Sequence, residues 1–222
     1  AQKGIDFRPR FVWRMILLML FGLFDLLFYN GDILFLYAVC GLLIIPLIRA
    51  SNKVIWLFII LMLLQPVELV YLIMGLVDPA TPVMDLGSSS YYGALIWSQS
   101  EGNILDVAVA GLKYGLPANF LWAVENGRMT QTVLFFLIGI ILGRTRLFYD
   151  EGNNVQTWKK IFIGSIAAFA ILLPLYLYLP KATDIRCVSN SLNVALNMWK
   201  NISMMFFIVS GTTLLYYRTS AK

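Results

Sequence analysis

The sequence predicts an all-α fold: a polytopic membrane protein of about six transmembrane helices plus an interfacial or re-entrant helical segment. Three observations carry that reading. Of 222 residues, 59% are hydrophobic and only 13% charged, with a mean hydropathy of +0.76. Ordinary soluble domains are about 45–50% apolar and about 25% charged, so a water-soluble fold would lack the polar surface to cover itself. Several apolar runs approach the roughly 20 residues that a bilayer-spanning helix needs. The basic residues gather in short loops between those runs, where membrane topology puts them.

The expected spans are 11–29, 31–48, 54–77, 129–148, 160–179 and 190–216, in a single transmembrane domain. Asn30-Gly31 is a turn pair that separates the first two, and Asp32 follows as a natural N-cap for the second. Arg49 to Lys53 is a short basic loop. Asp78-Pro79-Ala80-Thr81-Pro82 ends the third span, because proline cannot continue a helix. Segment 78–128 is the unusual element. Ile104, Leu105, Ala108, Leu112 and Leu116 recur in it at helical spacing, while Asp106 and Lys113 interrupt the run too early for a span. It reads either as an interfacial or re-entrant helix or as a small packed extracytoplasmic cap. Gly139 and Gly143 form a small-xxx-small face, whose ordinary meaning is close helix packing.

Orientation follows from the basic residues. Lys3, Arg8, Arg10, Arg14, Arg49, Lys53, Arg144, Arg146, Lys159, Lys160, Arg218 and Lys222 fall on the side of the N-terminus. Lys113, Arg128, Lys181, Arg186 and Lys200 fall at or near the other. The positive-inside rule then makes the N-terminus cytoplasmic and segment 78–128 extracytoplasmic. The net charge of +5 therefore reflects topology, and no nucleic-acid motif accompanies it. Cys40 lies in an apolar run and Cys187 in a loop, so no disulfide is expected. The chain has no histidine, which removes the commonest general base and metal ligand. It also has no phosphate-binding loop, paired-cysteine metal motif, GxSxG elbow or dinucleotide fingerprint. No metal site and no cofactor are expected.

Chemistry would fall to the carboxylates in apolar surroundings. Asp25 stands about 14 residues, or about 21 Å, into a helix starting near Phe11. Glu68 stands about as deep in the third span, counted from Val54. An ionisable group inside a bilayer marks a functional site by default, for proton exchange, cation binding or acid–base work. The structural alternatives for Asp25 are a hydrogen bond to Tyr29 one turn on, or an ion pair with Arg128 or Arg186. Glu68 follows Gln65-Pro66-Val67, and a proline there tends to kink the helix; broken helices recur at membrane binding sites. Pro46 and Pro174 read as packing prolines. Asp25 and Glu68 are thus the candidate catalytic residues. Asp32, Arg128 and Tyr29 are candidate substrate-binding residues, though capping alone explains Asp32, and a snorkelling interface role alone explains Arg128.

The stretch "FGLFDLLFYNGDILFLYAVCGLL" resembles the YeiB-like family of bacterial inner-membrane proteins, which is defined as a domain of unknown function. The match lies in Phe21-Gly22-Leu23, Gly31-Asp32-Ile33-Leu34 and Tyr37-Ala38. A second segment, Gly127-Arg128 through Phe136-Leu137, Gly139 and Leu142-Gly143-Arg144, is similar to that family's later helix. Asp25 stands where the family usually has histidine, and the family's opening and closing segments have no counterpart, so the chain resembles an interior piece or a shortened member. The family is distantly similar to transmembrane acyltransferases. That implies acyl transfer to a cell-envelope substrate such as a glycan, with acyl-CoA as donor and Asp25 or Glu68 as base. The alternatives are a proton- or cation-coupled transporter of a small solute, and a non-catalytic membrane scaffold. The lipid bilayer is a partner in each case, and the bacterial inner membrane is the expected location.

Overall fold

The structure, a computed structural model, describes residues 8–29, 31–148 and 154–220. Asn30 of the expected turn pair, and Lys3 and Lys222 of the basic count, lie outside the described residues. Ten α-helices and no strand occur among the described residues. The chain divides into two compact units. The first comprises residues 1–58 and 85–137, the second residues 59–84 and 138–222.

In the first unit, α1 (Arg8–Asp25) packs on α2 (Leu34–Leu43). Their approach is close at Gly22, where an added Cβ would lie 2.6 Å from the Phe35 nitrogen and 2.8 Å from an Asp32 carboxylate oxygen. The first span is shorter than expected. Helix α1 stops at Asp25, and the Phe28 and Tyr29 N–H groups donate back to the Asp25 carbonyl to close the turn. The second expected span, 31–48, is not one helix. Helix α2 covers ten residues, about 15 Å, and a 3-10 turn over Ile45–Arg49 follows it. Pro46 stands in the first turn of that 3-10 segment, where its missing N–H costs nothing. It ends α2 rather than merely packing.

Segment 78–128 forms α5 (Ser88–Glu101) and then one helical run of 22 residues, Ile104–Glu125. This run consists of α6 (Ile104–Ala110), a π-helical turn (Gly111–Gly115) and α7 (Leu116–Glu125). It is long and apolar enough to cross a membrane, which the sequence reading did not expect. Asp106 does not interrupt it. The residue closes a capping box with Asn103, whose side chain accepts the Leu105 and Asp106 N–H groups, while the Asp106 carboxylate accepts the Asn103 N–H. The charge therefore serves the helix start. Lys113 lies over the Tyr114 ring. Helix α8 (Arg128–Arg144) follows and runs on into the second unit.

The second unit holds α4 (Pro66–Val77), α9 (Val155–Tyr178) and α10 (Arg186–Ser220). Helix α10 packs along both α9 and α4. A Cβ at Gly75 would lie 3.0 Å from Val188 and 3.1 Å from Cys187, so α4 and α10 approach as closely as a glycine permits. Pro174 sits inside α9 without ending it. Gly139 and Gly143 do not pack as expected: a Cβ on either would meet no described residue within 4 Å. Both cysteines are buried and free.

Four helical segments among the described residues are long and apolar enough to cross a membrane: Asn52–Val77, Ile104–Glu125, Val155–Ala182 and Arg186–Thr219. The first joins α3 (Asn52–Leu64) to α4. Of the six expected spans, 54–77, 160–179 and 190–216 fall within these segments. Those at 11–29, 31–48 and 129–148 do not, because their helices are 18, 10 and 17 residues long with Arg10, Arg14 and Asp25 inside α1 and arginines at both ends of α8. The molecule is thus an all-helical protein with helices fit for a bilayer.

Candidate functional site

The Asn52–Val77 segment is broken at its middle. Helix α3 ends at Leu64, α4 starts at Pro66, and Gln65 between them has φ 48° and ψ 67°. The cause is local: proline offers no N–H, and its ring clashes with the carbonyl four residues back. That carbonyl, on Met62, instead accepts the Gln65 N–H at 3.2 Å. A left-handed conformation at a residue with a Cβ costs on the order of 1–3 kcal/mol and persists only where the surroundings enforce it.

The enforcement comes from α10. The Trp199 indole N–H donates to the Leu63 carbonyl at 2.9 Å, and the Gln65 amide donates to the Ala195 carbonyl at 3.0 Å. One turn past Glu68, the Cys187 thiol donates to the Tyr71 carbonyl at 3.2 Å. Cys187, Ser191 and Ala195 recur every four residues and so share one face of α10. Ser191, buried like Cys187, therefore stands at the level of Glu68.

Two polar atoms at the break have no partner: Gln65 Oε1 and Glu68 Oε2. Gln65 is 1% exposed and Glu68 8% exposed. An unmet polar atom in a bilayer costs several kcal/mol. Both orphans are acceptors, one on the residue that caps α4 and one in its first turn. Whatever completes them must be electropositive: a proton, a donor or a small cation. The N-terminus of α4 would by itself attract an anion, but the carboxylate and the amide oxygen turn the site the other way.

The other sequence candidates lie in the first unit, and each unit is described by itself. Asp25 ends α1, 14 residues after Phe11, and is partly exposed. Tyr29 is 60% exposed, and it meets Asp25 through the backbone bond of the turn. Asp32 is buried, and both its oxygens are engaged, accepting the Leu34 N–H at 2.9 Å and the Phe35 N–H at 3.1 Å. The cap expected from sequence is formed. Arg128 begins α8, reaches the Gln131 side-chain oxygen at 3.3 Å and lies over the Trp122 ring.

Sequence reasoning passed over three features. Trp199 lies inside the expected 190–216 span, and only its place opposite the break reveals its role. Lys200 was assigned to a surface but lies well inside α10, its ammonium 4.0 Å from the Tyr176 ring centre. In the first unit, Glu125 accepts the Leu86 N–H at 2.6 Å and the Ser88 N–H and hydroxyl, so it holds the start of α5. Tyr92, one turn on, donates to Asn119 at 2.6 Å. Burial, and then the Glu125 charge, raise its phenol above its ordinary pKa.

No family model matches the chain, and neither a curated protein nor a solved structure matches it.

Proposed function

We propose that the protein binds a proton or a monovalent cation at Gln65 and Glu68 and couples it to the movement of a small solute across a bacterial inner membrane. One observation carries this reading: a spanning segment broken at Gln65-Pro66 leaves two buried acceptors, Gln65 Oε1 and Glu68 Oε2, without a donor. Discontinuous helices hold ions in membrane transporters for the same reason, since the break frees polar groups at mid-membrane. Acyl transfer is supported less well. A base for that reaction must be open to a headgroup-sized substrate, and Gln65 and Glu68 are nearly closed to solvent.

The topology of the reading has its own support. Counted over the four segments, the loop at 78–103 contains no Lys or Arg, whereas residues 1–51 carry Lys3, Arg8, Arg10, Arg14 and Arg49. The positive-inside rule then puts the N-terminus in the cytoplasm, as it does for six spans.

The test is charge movement in proteoliposomes on a solid-supported membrane. A jump in Na+, K+ or proton concentration should give a transient current in the wild type and none in Glu68→Gln. Absence of current for all three ions from folded protein, or currents untouched by the substitution, would overturn the reading.

A further inference from the structure

At the basic end of α9 and α10, within the second unit, lies a groove of about 800 Å³. Its floor is apolar. Phe162 and Phe207 stack across it with ring centres 5.3 Å apart, and Gly211 opens it because a Cβ there would lie 3.2 Å from the Phe162 ring. Ile208 stands exposed along it. Lys159 near the start of α9 and Arg218 near the end of α10 line the same groove, and the antiparallel course of the two helices brings these charges to one end.

That end is firmly built. The Trp158 indole donates to the Leu147 carbonyl at 3.0 Å, and the Tyr217 hydroxyl donates to the same oxygen at 3.3 Å. Trp158 and Tyr217 are both buried. Leu147 therefore ties the beginning of α9 to the end of α10.

We infer that the groove holds one anionic phospholipid, with its phosphate between Lys159 and Arg218 and one acyl chain along Phe162, Phe207 and Gly211. The dimensions agree with that occupant. From Arg218 to Phe207 the helix rises about 16 Å, close to one leaflet of a hydrocarbon core about 30 Å thick. Both walls belong to segments long and apolar enough to span, so the apolar length lies where acyl chains are and the two cations lie toward the headgroups. Basic pockets between spanning helices select anionic headgroups by this charge complementarity. The inference does not depend on the Gln65–Glu68 reading.

The experiment titrates detergent-purified protein with phosphatidylglycerol or phosphatidylcholine and reads bound lipid by native mass spectrometry. Phosphatidylglycerol should bind roughly thirty-fold more tightly, and the Lys159→Gln/Arg218→Gln double variant should bring it down to the phosphatidylcholine level. Ile208→Trp, a substitution at an exposed position that fills the groove without changing charge, should weaken both lipids and leave folding intact. Equal binding of the two lipids, or a preference that survives the double variant, overturns the inference. So does inorganic phosphate, if it displaces phosphatidylglycerol at millimolar concentration, because the site would then recognise a free anion.

Discussion

Asp32 and Glu68 are buried to nearly the same extent, 7% and 8% exposed, in chain segments of similar oiliness. Asp32 stands before the first turn of α2 and gives both oxygens to backbone N–H groups. Glu68 also stands in the first turn of a helix, α4, yet one of its oxygens meets nothing. The difference lies in what precedes them. A turn brings Asp32 back over the free N–H groups it caps, whereas Pro66 and the left-handed Gln65 hold Glu68 at a break inside a spanning segment. Burial alone does not separate the two carboxylates; the count of satisfied oxygens does.

Substitutions at and around the two carboxylates test the difference between them. The largest effect is expected from Glu68→Gln, which should abolish ion-driven charge movement while leaving the melting temperature in detergent unchanged or raised, because a buried carboxylate without a partner is lost. A fall in melting temperature with currents intact would make Glu68 the structural residue of the two. Gly22→Ala should come next: its Cβ would press on the Asp32 carboxylate and the Phe35 nitrogen, for a loss of about 1–3 kcal/mol in reversible unfolding. Asp32→Ala removes two capping bonds and should cost about 1–2 kcal/mol, with charge movement per folded molecule unaltered. If currents vanish along with the cap, Asp32 belongs to the site after all.

The smallest effect concerns a third polar group, Tyr92, which is outside the spanning segments. Its folded-state pKa is raised above the ordinary value of 10, so the unfolded chain loses the phenolic proton first. The associated stability is complete below pH 10 and declines as pH climbs through the folded value. Tyr92→Phe should flatten that alkaline decline in a pH series of thermal melts. An unchanged slope would show that the Tyr92–Asn119 contact does not discriminate between protonation states.

Much of this was readable in the residues, and the failures have physical causes. Pro66 and Glu68 pointed to a broken helix with an acid beside it, because a missing N–H and an intramembrane carboxylate are local properties. The ring of partners was not local. Trp199 and Ala195 lie 136 and 130 residues away from the atoms they meet, and no spacing rule links them to Gln65. Asp25 does lie 14 residues beyond Phe11 in one helix, but α1 ends at that residue instead of running on to 29, so the carboxylate stands at a helix end. The 104–125 segment looked too charged to span because Asp106 was counted as an interruption. Its partner Asn103, three residues before it, turns the same charge into a helix start. Gly139 and Gly143 had the spacing of a packing face, but spacing does not guarantee that a second helix arrives there.

The broken segment also bears on how the chain is made. Its halves, 13 and 12 residues long, are each about 20 Å or less, too short to cross a bilayer alone, so the two must enter the membrane together. At that moment the groups that steady the break have not been synthesised, since Ala195 and Trp199 leave the ribosome about 130 residues later. A nascent chain ending before Ala195 therefore carries the proline discontinuity without its supports. The left-handed turn at Gln65 becomes settled only when α10 inserts beside it, so the interior of this span is finished long after the span itself has been synthesised.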